Sequence, residues 1–225
     1  MNHLVGETLT YAATISISPI PVIAVILMIR SPRPKAMGIG FLAGWIAGIA
    51  VAATVMTLVA SVIPASGGAG DESQPVAGAA RLLLGAALLF LAVKKFRSRP
   101  RPGETQELPQ WLNRINTMRP GAAPGFGFLL AALNPKNLMM AMAAGVVFGG
   151  AHAGVGAVAG AVTVFTILAG LSVLAPLVLY FLAPVRMAGV LDGVMEWLMT
   201  NSNTIVMVVL LVLGTQVIGQ GIDSF

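Results

Sequence analysis

Cysteine is absent from the 225 residues, which excludes disulfides, thiolate metal sites and dithiol electron relays. Histidine is almost as scarce. His3 and His152 stand far apart with no acidic neighbour in view, so an imidazole-built metal site is not expected. Charge is the third shortage. Only 9% of residues are Asp, Glu, Lys or Arg, whereas a water-soluble domain carries roughly a quarter. A surface so poor in charge faces hydrocarbon. The pI near 10.3 does not point to nucleic acid, because the basic residues fall in short runs between apolar stretches, the pattern of cytoplasmic loops. The first residues, Met1 to Glu7, lack the positive region and cleavage pattern of a signal peptide, so the first apolar run is expected to be retained.

What the chain has instead is long apolar runs: 57% of residues are hydrophobic and the mean hydropathy is +0.89. A helix crossing the ~30 Å hydrocarbon layer needs about 20 apolar residues. Six stretches qualify: Val5–Ile29, Ala36–Ile63, Val76–Val93, Pro124–Phe148, Val155–Phe181 and Thr204–Ile218. Arg30, Arg33 and Lys35 follow the first. Lys94, Lys95, Arg97, Arg99, Arg101, Arg114 and Arg119 follow the third, and Arg186 follows the fifth. The intervening loops hold Asp71, Glu72 and a single Arg81. Basic residues mark the cytoplasmic side. The expectation is a multi-pass inner (plasma) membrane protein with loops 30–35 and 94–123 cytoplasmic and both termini outside.

The loop's basic start, Lys94 to Pro102, reads as a topology determinant, with anionic headgroups as a further contact. Leu108 to Met118 has Trp111 and Ile115 on one side and reads as a short interfacial helix. Val185 to Met199 repeats Met187, Val190, Leu191, Val194 and Leu198 at helical spacing, with Arg186, Asp192 and Glu196 between them. That is an amphipathic helix on the inner surface.

Three spans precede the large loop and three follow it, so the second half enters the membrane from the opposite side, the inverted-repeat arrangement of many secondary transporters. The expected fold is therefore an all-α integral membrane protein of six transmembrane helices in two inverted three-helix repeats, with proline-broken first helices. The segments are 1–97, a cytoplasmic loop over 98–123, and 124–225 with the amphipathic stretch 185–199. The matching interruptions are Ile15-Ser-Ile-Ser-Pro-Ile-Pro-Val22 and Ala132-Leu-Asn-Pro-Lys-Asn-Leu138. Ser18 lies twelve residues before Arg30 and Lys136 twelve after Pro124, which puts both about 18 Å from the cytoplasmic boundary at 1.5 Å per residue. Proline removes an N–H and disturbs the preceding turn, and the carbonyls it frees must be satisfied by protein, water or substrate.

The candidate substrate-binding residues are Ser16, Ser18, Pro19, Pro21, Asn134, Pro135, Lys136 and Asn137. They combine hydroxyls, amides and one cation beside the N-terminal ends of new helical stretches, a composition suited to an anionic or polyhydroxylated headgroup. Lys136 carries the most weight, because a charge near the bilayer centre costs at least ~2.5–3.5 kcal/mol. Its competing reading is a cation held by helix C-terminal carbonyls as an interior tie. The glycine series Gly38, Gly40, Gly44 and Gly48, like Gly156, Gly160 and Gly170, lets helices approach closely, and Pro176 is expected to kink the fifth span. No acidic residue lies deep within a span, so the usual carboxylate proton relay is missing.

The Asn134-Pro-Lys-Asn-Leu138 motif, Ser18-Pro-Ile-Pro21, and the run from Trp197-Leu-Met-Thr-Asn-Ser-Asn203 to Leu213-Gly-Thr-Gln-Val-Ile-Gly-Gln-Gly221 together resemble the GAP family (glycopeptidolipid- and sulfolipid-addressing proteins) of the LysE transporter superfamily, over essentially the whole chain. The resemblance implies export of cell-envelope glycolipids across the inner membrane of actinobacteria, beside large lipid exporters and biosynthetic enzymes. Relatives that pass electrons use intramembrane cysteines, and those that handle metals use acidic or histidine motifs, both missing here. The expected function is a lipid transporter with the headgroup bound between the two broken helices. The alternatives are a non-transporting assembly subunit of a lipid-export complex and an exporter of a small soluble solute. No enzymatic activity and no cofactor are expected, because no nucleophile with a base, carboxylate pair or metal set is assembled. The partners expected are membrane lipids and, as a further option, a second copy of the chain.

Overall fold

The computed structural model describes residues 2–62, 75–98, 114–151 and 153–223. The acidic loop residues Asp71 and Glu72, the basic cluster from Arg99 to Pro102, Trp111 and His152 lie outside them, as does the side chain of Arg81. The described secondary structure is helical. It runs α1 (Asn2–Ser16), α2 (Pro19–Ile29), α3 (Pro34–Val62), α4 (Pro75–Arg97), two 3-10 turns (Arg114–Thr117 and Pro120–Ala122), α5 (Ala123–Ala132), α6 (Pro135–Gly150), α7 (Val155–Leu182) and α8 (Pro184–Ile222).

Among the described residues, α3, α7 and α8 are each long and apolar enough to cross a membrane. The count rises to five if the bent pairs α1–α2 and α5–α6 are each one span. The chain is thus a multi-pass helical membrane protein. Large apolar side chains such as Leu83, Val155 and Leu182 are exposed on the helices, where lipid would cover them.

Both breaks fall where the sequence places them, for one local reason. A residue before proline is pushed out of the helical region by the proline ring. Ser18 is extended at φ −136°, ψ 118°, and Asn134 at φ −70°, ψ 119°. Each proline then occupies the first helical position, where its missing N–H costs nothing. The axes turn by 58° at the first break and 65° at the second. Pro176, by contrast, lies inside α7, which runs unbroken.

The contacts divide the chain into two units, Met1–Ser66 with Leu108–Glu196, and Gly67–Glu107 with Trp197–Phe225. In the first, α3 packs against α5, α6 and α7, while α1 and α2 pack against α7, α1 also touches α6 and α2 touches α3. The crossing of α3 and α5 is glycine-made: a Cβ on Gly44 would run into the Pro124 carbonyl, and one on Gly127 into the Phe41 carbonyl. Gly156 instead faces open space. Phe41, Trp45 and Phe126 stack beside this crossing. In the second unit, Asn203 on α8 donates its amide to the Ser98 carbonyl at 2.7 Å and accepts from Lys95 Nζ at 3.5 Å, closing the C-terminal end of α4.

Two sequence readings change. The stretch 185–199 is not a separate surface helix; it continues into the following span as one 39-residue helix. The polar run between them stays helical because Asn201 and Ser202 turn back onto the carbonyls of Trp197 and Met199. Most of the interfacial helix expected over 108–118 lies outside the described residues; its described end holds one 3-10 turn anchored by the fully buried Ile115. Finally, His3 has an acidic neighbour after all: Nδ1 lies 3.5 Å from Glu7, one turn along α1.

Candidate functional site

The geometry at the breaks begins with unused carbonyls. Helix α1 ends at Ser16: Ala13 O still accepts from Ile17 N and Ser16 O from Ser18 N, but Thr14 O and Ile15 O lose their donors one turn ahead, because the Ser18 N–H is taken and Pro19 has none. Lys136, in the first turn of α6, supplies one from the other broken helix: its Nζ donates to Thr14 O at 2.6 Å, with longer approaches to Ile17 O at 3.3 Å and Ile15 O at 3.4 Å. The ammonium therefore sits at the electronegative C-terminal end of α1, where a cation is favoured. One short bond and two long ones leave part of its donor capacity weakly used. This geometry is compatible with Lys136 as a tie between the two helices.

The second break is stapled by its own asparagines. Asn134 caps α6, its side chain accepting from Lys136 N at 3.0 Å. Asn137, only 2% exposed, donates Nδ2 to the Ala131 carbonyl at 3.0 Å, spanning the break. Its Oδ1 is buried without a hydrogen-bond partner among the described residues. A buried acceptor left open is uncommon, and this one lies one residue from the lysine.

At the first break the hydroxyls behave differently from each other. Ser16 turns away from Lys136 and donates to the Leu168 carbonyl of α7 at 2.6 Å. Ser18 makes no capping bond, and Pro19 and Pro21 are buried. Two prolines within three residues also leave the start of α2 short of N–H donors, and at α6 the Lys136 N–H is already taken, so the helix N-termini offer an anion less than the sequence promises. Pro135 is exposed at the second break, and the apolar residues inside the two breaks, Ile17 at 55% and Leu133 at 66%, are exposed too. The structure thus brings Lys136 to the backbone of the first break, while Ser16 and Asn137 are spent on neighbouring carbonyls. Sequence reasoning missed the partners themselves, Thr14 O and Leu168 O, because a backbone carbonyl carries no side-chain signature.

Away from the junction, a groove of about 520 Å³ runs between α3 and α7, lined by Ile46, Ala50, Leu58, Val158, Val162 and Ile167 among others. Three of the four threonines on its walls, Thr57, Thr163 and Thr166, bond back to their own helices, which leaves the groove mostly apolar. Among the described residues no group of three or more His, Asp or Glu side chains is placed to hold a metal.

The profile of a protein family described as "Sap, sulfolipid-1-addressing protein" matches residues 8–223. No curated protein and no solved structure matches the chain.

Proposed function

The chain belongs to the sulfolipid-1-addressing protein family, and we propose that it is an inner-membrane transporter that moves an anionic, sugar-bearing lipid outward, the headgroup passing the junction of the two broken helices. The observation that carries this reading is Lys136, a cation on one broken helix whose ammonium rests on the carbonyls of the other. An arriving sulfate or phosphate competes for the weakly used donors, and the buried Asn137 Oδ1 offers an acceptor to a sugar hydroxyl. Trading long contacts for a charge-assisted bond loosens the tie between the two helices, which couples headgroup binding to their movement.

The reading includes six spans in two inverted repeats, 1–97 and 124–225 about the loop 98–123, with both termini outside and membership of the LysE superfamily in an actinobacterial envelope. Reciprocal packing supports it: the broken pair α1–α2 lies on α7, and the broken pair α5–α6 lies on α3. Each break is two residues long with a polar cap followed by proline. In an inverted repeat, rocking of one half against the other exposes a shared site to each side in turn. A large lipid exporter and biosynthetic enzymes are the partners such a role would use. We assign no catalytic step and no cofactor to the chain.

A second reading has its own support. Three carbonyls of the first break surround the Lys136 ammonium, as a purely structural tie would require, and the protein would then be an assembly subunit of an export complex. Reconstitution separates the two. In vesicles holding the purified protein alone, a fluorescent sulfated glycolipid should cross with the wild type and fail to cross with Lys136→Ala. Equal crossing by both proteins removes the junction as the site. No crossing by either, with lipid delivery in cells intact for Lys136→Ala, favours the assembly role.

A further inference from the structure

A second polar feature lies apart from the junction, at the end of the first unit that the basic loops mark as cytoplasmic. The turn after α2 and the turns before α5 enclose a cavity of about 220 Å³, lined by Ser31, Arg33, Met37, Thr117, Arg119 and Pro120. Its floor is Met37, 1% exposed, and one wall is fixed by Ile115, fully buried in the preceding 3-10 turn, which packs on α2. The two arginines come from sequence positions far apart and meet across a cavity whose lining holds no carboxylate.

Neighbouring charge does not explain them. Arg30, three residues before Arg33, is paired with Asp192. Among the described residues neither Arg33 nor Arg119 has an ion-pair partner, and both are exposed at the mouth of the cavity. The Ser31 hydroxyl is spent on the Met28 carbonyl at 2.7 Å, so recognition falls to the two guanidinium forks beside an apolar floor, which match a tetrahedral or planar oxyanion carried on a greasy stem.

We propose that this cavity binds the anionic headgroup of a lipid in the cytoplasmic leaflet, its sulfate or phosphate oxygens held by Arg33 and Arg119 and its chains left in the bilayer. The shared chemistry is an oxyanion, which phospholipid, sulfated glycolipid and free anion all carry. The proposal rests on the reading of the chain as a lipid-handling membrane protein, and it is independent of the junction at Lys136. Placed at the inner surface, the site gathers anionic lipid before any passage through the membrane.

The test uses the full chain in nanodiscs of phosphatidylcholine alone, or with phosphatidylglycerol, or with a sulfated galactosylceramide, and native mass spectrometry to count the lipids retained. Wild-type protein should retain one or both anionic lipids in preference to phosphatidylcholine. Arg33→Gln with Arg119→Gln should weaken retention about tenfold, the scale of a lost hydrogen bond to a charged group. The lysine replacements Arg33→Lys and Arg119→Lys should fall between, since they keep charge and lose the fork. The same two glutamine replacements made in a Lys136→Ala background should weaken retention by the same factor, so lipid held or lost at the junction does not count for or against the cavity. Which anionic lipid is held better separates phospholipid from sulfated glycolipid as the source. Equal retention by wild type and the double glutamine variant overturns the proposal. So does thermal stabilisation by inorganic sulfate or phosphate with no anionic lipid retained, which marks a free-anion site.

Discussion

Lys136 Nζ donates to the carbonyl oxygen of Thr14 at 2.6 Å across 122 residues of sequence, joining the two proline-broken helices. A buried carbonyl group deprived of its donor costs about 1–3 kcal/mol. Lys136→Met keeps the stem and removes the donors, so it should lower stability in detergent by about that amount. Chemical unfolding of the purified protein measures it. A stability unchanged from wild type would show that water replaces the ammonium freely.

Asn137 bridges the second break through Ala131 O. Asn137→Leu fits the apolar surroundings but strands that carbonyl, and about 1–2 kcal/mol of stability should be lost. Asn137→Asp keeps an acceptor, loses the donor and adds a buried charge, so it should be the worse variant. The order of the two unfolding midpoints checks the assignment of Nδ2 as the group facing Ala131.

How far the sequence reaches is visible at these same residues. The positions of both breaks were legible because proline acts on its immediate neighbour, a local effect that needs no partner. The spans follow from length and apolarity, which are also local. What Lys136 touches was not legible, since its partners are main-chain oxygens 119 to 122 residues away. The pairing of Arg30 with Asp192 was hidden in the same way: Asp192 reads as one polar position of an amphipathic helix until the fold brings the arginine to it. The continuity of α8 was not legible because the polar run between Met199 and Thr204 interrupts the apolar pattern, yet in a helix the side chains of Asn201 and Ser202 bond to carbonyls one turn back.

The glycine crossing of α3 and α5 gives a steric prediction. A Cβ at Gly44 or Gly127 meets backbone of the other helix, which cannot rotate away. Gly127→Ala should cost about 3 kcal/mol, the upper range for overpacking, and lower the folded yield in membranes. Gly125, two residues away, has nothing within 4 Å of its added Cβ. Gly125→Ala should be neutral or slightly stabilising, because alanine favours helix over glycine. Comparing the two by thermal unfolding isolates the close approach from any general intolerance of α5.

The ion pair of Arg30 with Asp192 links the end of α2 to the start of α8, with both side chains about half exposed, at 52% and 43%. Exposed pairs contribute about 0.2–1 kcal/mol and weaken in salt. A double-mutant cycle with Arg30→Gln and Asp192→Asn should return a coupling in that range, smaller again at high ionic strength. A coupling well above it would mean the pair is desolvated in the bilayer interface.

Orientation is open to a direct chemical test because the chain has no cysteine of its own, so any introduced thiol is the sole target. In the orientation proposed from the basic loops, Ser31 is cytoplasmic and Ala153, between α6 and α7, is at the opposite end of the spans. Ala153 is exposed and Ser31 partly so, and each stands in a turn where a thiol is tolerated. A membrane-impermeant maleimide added to intact cells should label Ala153→Cys and spare Ser31→Cys, with Ser31→Cys labelled only after the membrane is opened. The reverse pattern would place Arg33 and Arg119 on the outer face. Basic residues would then lie outside in excess, against the bias that orients helical membrane proteins, and the loading of lipid from the cytoplasmic leaflet would lose its physical basis.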